Sequence, residues 1–329
     1  MTKRTRYFLT GSAAVLATGL CTGLVAYYGG GFQPLSASTG PNELDYVPAD
    51  AALVAFADVR SIMSSELRQR FKQAVPMNEQ GRQEFLEHTG IDIETDIDYV
   101  VAAAAAPDVS VQGKPSGVVV ARGRFDIVRL EGLALQHGAQ VQEYKGKRLL
   151  TLKHDGEQTV GVLAFLEPGV VAVGDYAGVQ RAIDAQLSAQ TIRSNNEMMD
   201  LVADIATTNN AWAVGRFDLL QAQAKLPEQI ARQIPPVKWF AAAGHINGGV
   251  SAQLRAEAND DQAAENLRGV VNGVISLARL QAQNDPKMGS LIQSLQLTGS
   301  GKTVQLSFAI PAEIFELMAP KVNSAIGAH

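Results

Sequence analysis

Gly123-Arg124-Phe125-Asp126-Ile127-Val128 returns almost unchanged as Gly215-Arg216-Phe217-Asp218-Leu219-Leu220, and this recurrence decides how the chain is read. Val118-Val119-Val120-Ala121 precedes the first copy and Ala211-Trp212-Ala213-Val214 the second. Both are apolar and β-branched or aromatic enough to form buried strands. Asp126 and Asp218 fall where a helix takes an N-cap, since a carboxylate accepts the first unpaired helical N–H groups and suits the positive end of the dipole. Looser versions occur at Ala55-Phe56-Ala57-Asp58-Val59-Arg60 and Ala256-Glu257-Ala258-Asn259-Asp260-Asp261. Four strand-to-helix junctions of one kind predict a repeated supersecondary unit, which is an architecture and carries no chemistry.

Working outward, the chain of 329 residues is 46% hydrophobic and 19% charged, enough for two ordinary folded units. A formal net charge of -5 gives no basic footprint and argues against nucleic acid as a partner. Cys21 is the one cysteine, so the folded body has neither a disulfide framework nor a thiolate site.

Lys3, Arg4 and Arg6 precede an uncharged run from Tyr7 to Tyr28, 22 residues. At about 1.5 Å per residue it suffices to cross a hydrocarbon core of about 30 Å. Residues 1-28 therefore read as an N-terminal transmembrane anchor, with the amino terminus cytoplasmic and the body extracytoplasmic, in the periplasm. A secretory signal is the alternative, with the late Ser36-Ala37-Ser38 as cleavage site and a secreted body. A lipoprotein reading through Cys21 conflicts with Leu20 before it and with the apolar run after it. Gly19 and Gly23 form a small-x-x-x-small pair that would let two anchors pack. Residues 29-43 have the Gly, Pro and Ser composition of a linker.

Two α+β domains are expected, 44-192 and 193-329, as similar halves of mostly antiparallel sheet with packed helices. The first begins with a strand over Ala52 to Asp58, a helix from Ser61 to Ala74 and a second from Gln80 to His88, capped by Gly90. Strands Tyr99 to Ala106 and Gly117 to Arg124, the helix from Asp126 and a four-stranded meander from Ala139 to Val173 follow. The second half contains strand Ala211 to Phe217, helix Leu219 to Gln233, strands Lys238 to His245 and Gly249 to Ala256, helix Asp261 to Gln283, strands Gln293 to Thr298 and Thr303 to Ile310, and helix Ala312 to Leu317. Tyr99-Val100-Val101 against Trp239-Phe240-Ala241 sets an offset of about 140-160 residues. The two Gly-Arg-Phe-Asp copies are 92 residues apart, so in that register they are not equivalent.

No catalytic, cofactor-binding or metal-ligating residue is nominated, and the body reads as non-enzymatic. Thr298-Gly299-Ser300-Gly301-Lys302-Thr303 resembles the end of a phosphate loop but leads into the alternating strand Val304-Gln305-Leu306-Ser307-Phe308 rather than a helix, so it reads as a hairpin turn. Asp92, Glu94, Asp96 and Asp98 would line one side of an extended segment, but they lack the glycine and the closing glutamate of a calcium loop, so they read as a solvated polar face and as helix or turn caps. Of the five histidines, His245 alone ends an apolar strand. Trp212, Trp239, Phe217 and Phe240 are core residues or the floor of an apolar pocket.

Val47-Pro48-Ala49-Asp50-Ala51-Ala52-Leu53-Val54 leads into a strand ending Asp58-Val59-Arg60, and the late Gly301-Lys302-Thr303-Val304 hairpin leads to Ile310-Pro311-Ala312. In these features the chain resembles uncharacterised exported bacterial proteins with a membrane anchor and a duplicated α+β body. The resemblance implies no activity and no catalytic residues. The expected role is a structural or protein-interaction module of the cell envelope, with envelope proteins as partners; the alternatives are a carrier of a lipid or small apolar ligand, and a hydrolase.

Overall fold

The computed structural model describes residues 41–74, 79–106, 116–152, 161–220, 235–281 and 286–312. Twelve strands in these residues form one antiparallel sheet: β1 (Ala51–Asp58), β2 (Ile97–Ala105), β3 (Gly117–Gly123), β4 (Gln140–Tyr144), β5 (Lys147–Leu152), β6 (Gly161–Glu167), β7 (Val170–Gly174), β8 (Ala211–Arg216), β9 (Val237–Ile246), β10 (Gly249–Ala258), β11 (Gln296–Thr298) and β12 (Thr303–Pro311). Their spatial order is β11-β12-β10-β9-β8-β1-β2-β3-β7-β6-β5-β4. The fold is α+β. The boundary expected at 192/193 leaves the sheet undivided, because β1 pairs with β2 on one side and with β8 on the other, Val54 facing Val214 and Phe56 facing Trp212. Two meanders, β1-β2-β3 and β8-β9-β10, thus run outward from a common seam.

The helices are α1 (Val59–Ser64), α2 (Glu66–Ala74), α3 (Glu79–Thr89), α4 (Ile93–Asp96), α5 (Ile127–Gln136), α6 (Tyr176–Ser188), α7 (Asn196–Ala206), α8 (Phe217–Leu220), α9 (Asp261–Gln281) and α10 (Pro286–Gln293). Asp58, Asp126 and Asp260 act as the junction pattern predicts, each accepting a backbone N–H three residues on: Ser61 at 2.8 Å, Arg129 at 3.0 Å and Ala263 at 2.7 Å. Asp218 does not. Helix α8 already begins at Phe217, and the Asp218 carboxylate faces back to Arg216 at 2.8 Å. The shortened strand leaves Arg216 close enough to compete for it.

Two further expectations are corrected, and the capping reading of Asp92 to Asp98 is chosen over the aligned one. The single helix from Ser61 to Ala74 is two, because Ser65 turns to extended backbone (ψ 150°) and its hydroxyl accepts from the Arg68 N–H at 3.2 Å, starting a new helix. The strand over Gln293 to Thr298 is the end of α10 followed by the short β11. Asp92 to Asp98 does not extend with its carboxylates aligned; it closes into α4, where Asp92 caps the Glu94 N–H at 3.0 Å. Glu94 is then held by buried Arg68 at 2.6 Å and Asp96 by Arg124 at 3.0 Å. Gly299 and Gly301 have φ of +104° and +55°, and Thr303 N–H donates to the Ser300 carbonyl at 3.0 Å, which makes the phosphate-loop look-alike a hairpin turn between β11 and β12.

Residues 7–28 and the expected helices 221–233 and 313–317 lie outside the described residues. Among the described residues no helix is long and apolar enough to cross a membrane.

Side-chain alternation gives the sheet two faces. One carries Val54, Phe56, Val101, Val120, Trp212, Val214 and Trp239, and the main core forms there against a 3-10 turn over Asn42–Tyr46 and helices α6 and α7. Leu44, Val179, Ile183 and Met198 are fully buried in it. Glu43 shares that burial because Arg122 meets its carboxylate while also binding Glu167 at 2.8 Å. Beside them the Tyr46 hydroxyl is pushed up to about 12, chiefly by burial and then by the charge of Glu167. The opposite face carries Ala55, Ala57, Ala102, Ala211, Ala213 and Phe240. Helices α1 and α4 pack on its middle, and α9 and α10 cover β10, β11 and β12 through Ile275, Ile292, Leu297 and Leu306.

Candidate functional site

Among the described residues, the tryptophan-bearing face loses its apolar cover beyond β9. Trp212, Val214, Trp239, Ala241 and Ala243 of β8 and β9 belong to the main core, under α7; no residue of β10 or β12 does. On these outer strands the same face turns polar. His245 lies opposite Ser251, which lies opposite Ala309; Ala243 lies opposite Gln253, which lies opposite Ser307, which lies opposite Gln296 on β11. These rungs floor a cleft of about 410 Å³ that also takes in Thr208 and Asn209 from the α7–β8 turn and Ser294 from the end of α10.

Local sequence explains the walls. Asn209 is fixed by donating to the Ile205 carbonyl at 2.7 Å, which ends α7, while buried Asn210 ties the turn to the sheet by donating to the Ile246 carbonyl at 3.1 Å and accepting from its N–H at 3.2 Å. Ser294 returns its hydroxyl to the Leu291 carbonyl at 2.7 Å, ending α10. Gln253 meets Gln305 of β12 at 3.4 Å. One further rung on the same face is charged but internally neutralised: Arg255 reaches Asp204 of α7 at 2.6 Å and Glu257 at 2.7 Å. The charge stops at the cleft's rim.

His245 is the titratable group of the cleft. Both its ring nitrogens are shielded from solvent, and burial pushes the imidazole below its ordinary value against a hydrogen bond with the Thr208 backbone. It is neutral near pH 7 and braces the turn. No carboxylate stands with it among the residues lining the cleft. Among the described residues no group of three or more His, Cys, Asp or Glu could hold a metal ion.

The residues singled out in the sequence fall elsewhere. Trp212 and Trp239 are in the core, 1% and 4% exposed, on one face. Phe240 points to the other face, where it meets Phe217 edge-on at 6.5 Å, so the four aromatics do not floor one pocket. Ser251, Gln253 and Ser307 are not singled out by the sequence reading. The signal was there: two successive outer strands whose polar side carries hydroxyls and amides with no charge between residues 245 and 253 or 306 and 310.

No protein-family model matches this chain, and no curated protein sequence matches it. The crystal structure of TP0453, crystal form I, superimposes with a TM-score of 0.46 at 10% sequence identity, over 86% of this chain and 99% of that one. That likeness carries no argument about function.

Proposed function

We propose that the chain is a non-enzymatic, extracytoplasmic binding module of the cell envelope, tethered to the membrane through residues 7–28, whose interaction site is the cleft on the bare flank of β10 and β12. The observation that carries this reading is the cleft's chemistry: neutral hydrogen-bonding side chains on a rigid sheet, with its histidine spent on structure. The membrane location rests on the basic and apolar N-terminal sequence, with secretion after signal cleavage as its alternative. The body begins close behind that run, since the turn over Asn42–Tyr46 is tied to β3 by Glu43–Arg122 and to the turn before α7 by Asp45–Arg193. We also read the body as two like halves fused along β1 and β8. In each, three strands run outward, and a carboxylate caps the helix after the third, Asp126 in one and Asp260 in the other.

A carrier of apolar ligands is the second reading, favoured by α9, whose Val274, Leu277 and Leu280 are 58–63% exposed. A photo-crosslinking residue at Gln253 in the full-length chain, expressed in its own cells, tests the first reading. It predicts a discrete adduct from position 253 and none from Val141 on the opposite sheet edge; equal labelling of both positions would count against the cleft. Intact-mass analysis of the same material tests the tether, which requires that Met1 or Thr2 be retained and is lost if the chain starts near Thr39.

A further inference from the structure

We infer that the ligand of this cleft is an uncharged, hydroxyl-rich molecule, a saccharide; the inference rests on the reading of the cleft as a binding site and adds the class of molecule it takes. Six side chains carry it: Thr208, Asn209, Ser251, Gln253, Gln296 and Ser307. Each is a hydroxyl or a carboxamide, and each both donates and accepts hydrogen bonds. A sugar hydroxyl is likewise donor and acceptor at one atom, so it pairs with any member of such a set in either sense. A phosphate or carboxylate finds no cation among the lining residues, and a metal ion or ammonium finds no anion. Arg255, on the same face of β10, is already held between Asp204 and Glu257. An apolar ligand would meet Phe308 and Ala309, but it would strip water from Ser307 and Gln296, which no side-chain hydrogen bond among the described residues satisfies, and return nothing to them.

The sheet also sets the spacing. Gln253 and Ser307 face each other across a strand pair, about 5 Å apart, while residues two apart along a strand, such as Ser251 and Gln253, are separated by about 7 Å. The cleft floor is thus a fixed grid of hydrogen-bonding groups on backbone that cannot slide, since Ser307 is held between β10 and β11 on both sides. The side chains of Ser307 and Gln296 have no hydrogen-bond partner among the described residues, so the grid has capacity to spare. Small residues, Ala243 and Ala309, lie beside Gln253 and Ser251 and keep the floor low enough for a ring. At about 410 Å³ the space lies within the range of small-molecule sites, which run from about 300 to 1,000 Å³.

The experiment uses the full-length chain with its own sequence and saturation-transfer NMR. The probes are short neutral oligosaccharides (glucose-, galactose- and N-acetylglucosamine-based), a polygalacturonate oligomer, a short extended peptide and a lysolipid. The proposal expects a response to at least one neutral oligosaccharide. Gln253→Ala with Ser307→Ala should weaken that binding roughly tenfold or more, as removal of two hydrogen-bonding groups does, without moving the unfolding midpoint. Restoring Gln253 alone should recover part of it. A response to the peptide or lysolipid but to no saccharide would overturn the ligand class and leave the cleft as a binding site. Silence toward every probe, or saccharide binding indifferent to the double substitution, would overturn both.

Discussion

The two meanders that meet at the β1–β8 seam share a plan and differ at their outer ends, and the site falls where they differ. Beyond β3 the sheet continues through β7, β6, β5 and β4, and its tryptophan-side face is covered by α6 over β7 and β6, with Val179, Ala182 and Ile183 fully buried and only Gln140 and Gln142 of the edge strand exposed. Beyond β10 it continues only through β12 and the three-residue β11, and the apolar packing of α7 stops at β9, its Asp204 alone reaching on to Arg255 of β10. The same face that buries Ala172 and Ala164 on one flank therefore exposes Ser251 and Gln253 on the other. A fold with two like ends needs only one of them to be left open to acquire a cleft.

The comparison breaks most visibly at the seam's core. Trp212 stacks on Phe56 at 5.6 Å across the seam, so Trp212→Ala should cost about 3–5 kcal/mol, read by urea unfolding. A loss under about 1 kcal/mol would mean that the seam is loosely packed. The junction carboxylates come next. Asp126→Ala and Asp260→Ala should each cost about 0.5–2 kcal/mol, with Ser restoring most of it. Asp218→Ala should cost less, within about 0–1 kcal/mol, because it gives up only a partly exposed pair with Arg216; equal costs at 126 and 218 would restore the capping role expected for both.

Acid should act on the open flank. With its folded value below the ordinary 6.5, His245 binds protons more readily in the unfolded chain. Its contribution is present above about pH 6.5 and is lost as pH falls from there through the folded value. A His245→Gln variant should show a shallower decline in melting temperature below pH 6.5 than the parent, and parallel curves would remove the histidine from the account. Smallest of all, Gln253→Ala and Ser307→Ala should each stay within about 0.5 kcal/mol of the parent, as a surface built for a partner rather than for stability would.

Most of the elements were legible in the sequence because their signals are local. An Asp that follows an apolar strand and precedes a helix offers its carboxylate to the first free N–H groups, as Asp58 and Asp126 do, and Lys145-Gly146 and Gly169 turn hairpins through positive φ. The failures were cases where a neighbour decided. Ser65 reads as helix interior until its hydroxyl is seen restarting the helix, and Asp218 reads as a cap until Arg216 claims it. The strand order was not legible at all, since nothing in Ala51–Asp58 says that Ala211–Arg216 lies beside it. For the same reason the cleft stayed hidden: its residues come from the α7–β8 turn, β9, β10, β11 and β12, and only the non-local pairing of Gln253 with Ser307, and of Ser307 with Gln296, gathers them.

That gathering depends on the halves forming one cooperative sheet rather than two units that cover themselves separately. Native-state hydrogen exchange on the full-length chain tests this directly, because strands in one cooperative unit share one opening free energy. The account predicts that the slowest amides of β1 and β2 and those of β8 and β9 converge on a single free energy and fall together in Trp212→Ala. Two separate values, with β8 and β9 opening while β1 and β2 stay closed, would contradict it.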